Sequence, residues 1–79
     1  MPANRDEKLI TIGKLAKLAN VLPSTIHYYT KLGLLKFADE TVGGYRLYDQ
    51  KAALQRMKTI ADFQIRKRLT IAEIKVKLK

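Results

Sequence analysis

The amino-acid sequence predicts a mainly α-helical domain with a small β-hairpin, in the order helix, helix, hairpin, helix, helix. Three observations lead to this fold class. Apolar residues recur at helical spacing in two short runs joined by the tight link Asn20-Val21-Leu22. A Gly43-Gly44 pair separates two β-prone stretches. Two later apolar-periodic segments open on strong helix-capping residues, Asp49 and Thr70.

The elements follow in chain order. Residues 1–9 are polar and read as a flexible terminal segment, leaving 10–79 as the folded domain. Ile12, Leu15, Ala16 and Ala19 fall on one face of a first helix, capped by the Thr11 hydroxyl and closed by Asn20, which tolerates the left-handed conformation. Pro23 suits the first turn of a second helix, because its missing N–H is not needed there. That helix is expected over residues 23–32, with Ile26, Tyr29 and Leu32 inward and Gly33 as its stop. Two short helices joined this way form a helix-turn-helix candidate.

Strands are expected around residues 35–37 and 45–48, with Tyr45 and Leu47 on one side of the hairpin and Arg46 and Tyr48 on the other. Asp49 caps a third helix over about residues 50–66, whose expected buried stripe is Leu54, Met57, Ile60, Ala61 and Ile65. Thr70 and Glu73 form a capping box for a last helix, with Ile71, Ile74 and Leu78 on one face and the helix still running at Lys79.

Composition bounds the function. A 79-residue chain makes one modest core, since a chain of this size buries only about 60–65% of its unfolded surface. There is no cysteine, which excludes disulfides, thiolate metal sites and cysteine catalysis. No apolar run approaches the ~20 residues of a membrane span, and the N-terminus does not resemble a signal peptide. Sixteen Lys and Arg against seven Asp and Glu give a net charge of +9, which predicts affinity for a polyanion. The excess is uneven: residues 1–50 carry seven bases and five acids, residues 51–79 nine bases and two acids. Charge alone therefore does not single out the second helix.

The residue types on that helix do. From residue 23 to 32 it contains no acid, and its first turn directs free N–H groups and positive dipole outward. Ser24, Thr25 and His27 are of a size to reach base edges in a major groove. Tyr28 lies off the Ile26, Tyr29 and Leu32 face, where its phenol can donate to a phosphate oxygen; Tyr29 belongs to the core. His27 is the only histidine, with no second metal ligand or orienting carboxylate near it in sequence, so neither a metal site nor a catalytic base is expected. An exposed histidine or tyrosine without a role is the alternative for each. Arg46 on the hairpin is placed to grip phosphate or enter a minor groove. Asp39 and Glu40 would repel DNA if they faced it, so the hairpin tip is expected to overhang rather than insert. Arg66-Lys67-Arg68 is either a phosphate contact or a loop, and Lys75, Lys77 and Lys79 are most simply a solvated face. The candidate DNA-contacting set is Lys14, Ser24, Thr25, His27, Tyr28, Lys31, Lys36, Tyr45 and Arg46.

The runs "ITIGKLAKLANVLPSTIHYYTKLGLL", "GGYRLYD" and "LTIAEIK", spanning about residues 10–78, resemble the DNA-binding domain of the MerR (mercury-resistance regulator) family. The resemblance implies a winged helix-turn-helix with residues 23–32 as recognition helix, and Tyr28 and Arg46 on positions that contact the DNA backbone. It implies transcription control: a homodimer bound to double-stranded promoter DNA, distorting an over-long spacer so that RNA polymerase engages. Departures are His27 where the family has arginine, Leu22 where it often has a capping serine, no glycine before the last helix, and one extra residue in "IRKRL". No coiled-coil helix or effector domain follows in this sequence. The expectation is therefore the DNA-binding part of a longer cytoplasmic, nucleoid-associated regulator, monomeric as residues 1–79, with no cofactor. A stand-alone excisionase-like or architectural DNA-binding module is the alternative. A basic protein-interaction adaptor is the alternative of a different class.

Overall fold

Asn20 adopts φ 59° and ψ 45°, the left-handed conformation that turns one helix into the next. The computed structural model describes residues 8–78. Its elements are β1 (Leu9–Thr11), α1 (Ile12–Ala19), α2 (Pro23–Lys31), β2 (Asp39–Glu40), β3 (Arg46–Asp49), α3 (Gln50–Ile65) and α4 (Ile71–Lys77). The three strands form one antiparallel sheet in the order β1-β3-β2, so the hairpin β2-β3 is extended by a strand from the start of the chain.

Capping chemistry sets the helix boundaries. The Thr11 hydroxyl accepts from Lys14 N–H at 3.3 Å, and the Asn20 N–H closes α1 on the carbonyls of Ala16 and Lys17. Pro23 opens α2, and Gly33 ends it at φ 83°, a backbone conformation that costs glycine nothing. Asp49 Oδ1 accepts from Ala52 N–H at 3.2 Å at the start of α3. At α4 the Thr70 N–H donates to Glu73 Oε1 at 2.8 Å while Thr70 Oγ1 accepts from Glu73 N–H at 3.2 Å, a complete capping box.

One core lies beneath all four helices. Leu15, Ile26, Leu34, Tyr48, Ile60 and Ile74 are its fully buried centre. Ile71 and Leu78 pack against it beside Ile74, as their shared helical face predicts.

Three expectations need correction. Leu9 is not part of a free terminal segment: it pairs with Asp49 in β1, and Lys8 C=O accepts from Gln50 N–H at 2.8 Å. The remainder of that segment, residues 1–7, lies outside the described residues, as does Lys79 at the expected continuation of α4. Second, residues 35–37 are not a strand. Leu34 and Leu35 are both buried, which strict alternation forbids, and both of their N–H groups reach the Tyr29 carbonyl, at 2.9 and 3.3 Å. The strand forms instead at Asp39–Glu40, where β3 supplies its partner.

The expected alternation along β3 holds: Tyr48 is inward at 0% exposure, whereas Tyr45 is 73% exposed. As the central strand, β3 lies against α1 and α3. Third, the buried stripe of α3 is Ala53, Met57 and Ile60, with Leu54 beside it. Ala61 is exposed along the open groove between α1 and α3, and Ile65 is 75% exposed at the C-terminal end of α3.

Candidate nucleic-acid interface

The arrangement of α2 follows from what it buries. Ile26 and Tyr29 face the core, with Thr25 and Thr30 half-buried on either flank. At 3.6 residues per turn, Ser24, His27, Tyr28 and Lys31 then share an arc of roughly 100° on the opposite side. All four are exposed, Tyr28 by 51%. No acid stands in the first turn, and Leu22 at the N-cap offers no side-chain hydrogen bond to the turn. This arc is hydrogen-bond donors and acceptors, one aromatic ring and one cation.

The hairpin is tied to α2 by a polar link that sequence reasoning missed. The Thr30 hydroxyl donates to Ile26 C=O at 2.8 Å, which uses its only hydrogen. The Tyr48 hydroxyl, 2.9 Å from Thr30 Oγ1, must therefore be the donor to Thr30. Because Tyr48 is fully buried, this bond holds β3 at one height along α2.

The hairpin turn is closed by Gly44 N–H to Thr41 C=O at 2.9 Å, Thr41 N–H to Tyr45 C=O at 2.7 Å and Tyr45 N–H to Thr41 Oγ1 at 3.0 Å. Gly44 at φ 87° is the position that requires glycine. Arg46, on the outer part of β3, places its guanidinium carbon 4.9 Å from the centre of the Phe37 ring. Asp39 and Glu40 form β2 on the same hairpin, both exposed.

The structure thus gathers Ser24, His27, Tyr28 and Lys31 on one helical surface. Thr25 sits at its edge, half-buried. Arg46 and Tyr45 belong to the hairpin beside it, Lys14 to the exposed first turn of α1, and Lys36 to the exposed link between α2 and β2. Phe37 was assigned to a strand by sequence and its role went unseen. The available signal was an aromatic residue within reach of a hairpin arginine, which becomes informative only once the register is known.

Other chemistries find less to work with. Among the described residues no group of three or more His, Cys, Asp or Glu side chains is placed to hold a metal ion. An open groove of about 710 Å³ lies between the end of α1 and α3, lined by Leu18, Val21, Tyr29, Leu54, Met57 and Lys58 among others. It meets α2 through Tyr29, on the side away from the polar arc, so concavity and candidate site do not coincide. No helix of the described residues is long and apolar enough to cross a membrane.

Comparison with known proteins agrees with this geometry. Residues 11–48, which run from the cap of α1 to the buried tyrosine of β3, match the model of the MerR family regulatory protein. The HTH-type transcriptional regulator ZntR of Escherichia coli K12 is 49% identical over 49 residues, 62% of this chain and 34% of that protein. The HTH-type transcriptional regulator CueR of Bacillus subtilis is 43% identical over 67 residues, 85% of this chain and 45% of that protein. The crystal structure of a MerR family transcriptional regulator from Bacillus cereus superposes with a TM-score of 0.75 at 32% identity, covering 91% of this chain and 53% of that one. The chain therefore spans between a third and about half of the length of these relatives. Its order of two helices, hairpin and two helices, its sequence match and its superposition agree: the chain carries the winged helix-turn-helix DNA-binding domain of the MerR family.

Proposed function

We propose that this domain binds double-stranded promoter DNA in a sequence-specific manner, with α2 in the major groove and Arg46 of the hairpin on the phosphate backbone. The observation that carries the reading is the acid-free outer arc of α2, set opposite its buried face and beside a hairpin locked to it through Thr30 and Tyr48. Ser24, Thr25 and His27 are the candidates for base edges; Tyr28, Lys31 and Arg46, with Lys14, Lys36 and Tyr45, are the candidates for phosphates. In a full regulator two such domains, held as a homodimer, would present their α2 helices about 34–36 Å apart or a multiple of it. RNA polymerase would be engaged indirectly, through the bent promoter, in the cytoplasm. Residues 1–79 by themselves are then monomeric, since the longest helix among the described residues is the 16-residue α3, short of the three or more heptads that mark a coiled coil.

The test is binding of the chain to duplexes recovered by selection from a random library, followed over a range of salt. Affinity should fall linearly on log–log axes as counterions return to the phosphates, and the selected duplex should bind more tightly than mixed sequence. Tyr28→Phe should keep the fold and weaken binding by about 1 kcal/mol, the scale of one hydrogen bond. An affinity unmoved by salt, or equal for every sequence, would refute the reading and favour an acidic protein partner.

A further inference from the structure

Resting on the DNA-binding reading, we propose that Phe37 is a positioning residue for Arg46: its ring holds the guanidinium away from Glu40 and so keeps the hairpin cation available to phosphate. In the register of β2 with β3, Glu40 stands directly opposite Arg46. Directly opposed residues of an antiparallel pair lie close enough for opposite charges to meet. They do not meet here. The salt bridge found among the described residues is Arg66 Nε to Asp62 Oδ1 at 3.0 Å, in α3. The Arg46 guanidinium lies instead over Phe37, at 4.9 Å from the ring centre, inside the range of a cation–π contact.

The preference has a physical basis. Phe37 is a large apolar residue left 38% exposed at the edge of the sheet, and the flat, weakly hydrated guanidinium covers it. An exposed ion pair and an exposed cation–π contact are of similar strength. The ion pair must in addition order the long Glu40 side chain and is screened by salt. The ring is held in place: the neighbouring Ala38 N–H donates to Leu47 C=O at 2.7 Å, anchoring the segment to β3. Asp39 is not the competitor, since it faces Leu47 across the sheet and its Oδ1 accepts from Glu40 N–H at 2.7 Å.

The consequence is electrostatic. With the stack in place, Arg46 offers its donors outward. Without it, Glu40 captures the guanidinium, and a hairpin bearing Asp39, Glu40 and a neutralised Arg46 turns repulsive to phosphate. Phe37 thus decides the sign of the wing without touching DNA.

The experiment uses the whole chain and two readouts. By NMR of the free protein, the Arg46 δ and ε protons should be shifted upfield by the Phe37 ring current, and Phe37→Leu should abolish that shift while the other methyl resonances stay in place. By fluorescence anisotropy on a mixed-sequence duplex, Phe37→Leu should weaken binding several-fold and lower the salt slope by about one unit, the value of one phosphate contact. Glu40→Gln added to Phe37→Leu should restore both, because the competitor is gone. Unshifted Arg46 protons in the parent, full affinity in Phe37→Leu, or failure of Glu40→Gln to rescue would each overturn the proposal. If Arg46→Ala weakens binding and Phe37→Leu does not, the DNA reading stands and this inference falls. A parent chain that does not bind duplex overturns both.

Discussion

Tyr48→Ala is expected to remove about 3–5 kcal/mol of stability, the cost of truncating a fully buried aromatic residue. A chain of 79 residues has only ~4–12 kcal/mol in total, at about 0.05–0.15 kcal/mol per residue. This one change should therefore remove at least about a quarter of the total stability. The reason lies in the position of Tyr48. It pairs with Ile10 of β1, sits at 0% exposure on the central strand and donates to Thr30 of α2. Sheet, α2 and core meet at that side chain. Tyr48→Phe should cost only about 1 kcal/mol, since the ring stays and Thr30 Oγ1 keeps its own bond to Ile26 C=O. Urea denaturation of the two variants measures both numbers. A Tyr48→Ala midpoint equal to that of the parent would show that the sheet is not packed as described.

Ser24→Glu is expected to move stability and binding in opposite directions. Ser24 lies in the first turn of α2, where no acid is present and a carboxylate interacts favourably with the helix dipole, by about 0.3–1 kcal/mol. Thermal melting should rise or stay level. The same carboxylate would stand on the outer arc of α2, against the DNA backbone. Binding should fall by about tenfold or more, because like charges brought together at an interface cost up to several kcal/mol. A loss of binding accompanied by a loss of stability would point to a damaged helix instead. Unchanged binding would remove α2 from the interface.

How much of this was readable beforehand depends on the range of the forces involved. Thr11, Asn20, Gly33, Asp49 and the Thr70–Glu73 box act within a turn of their own positions, and each ends or begins a helix where the sequence placed it. The split between Tyr28 and Tyr29 was equally legible, because helical spacing alone puts adjacent residues on different sides. Of the strands, only β3 was. β1 and β2 exist through their pairing with β3, and Leu9–Thr11 carries no local signal that Asp49 will lie across from it. Leu35 read as β-prone yet serves with Leu34 as one of two consecutive core anchors held by one carbonyl of α2. Ile65 matched the period of α3 and is exposed because no described residue covers it. In the candidate site, the arc on α2 came from periodicity, whereas the Phe37–Arg46 stack and the Thr30–Tyr48 bond depend on register and were invisible until the sheet was in view.

The central claim is that the outer arc of α2, with Arg46, is the surface that meets DNA. Titration of the ¹⁵N-labelled chain with a selected duplex, followed by amide chemical shifts, tests it residue by residue. The account predicts that the largest changes fall on Ser24, Thr25, His27, Tyr28 and Lys31 and on Arg46 of the hairpin, with Leu54 and Met57 of the α3 groove little affected. Changes concentrated along that groove, with α2 silent, would contradict it.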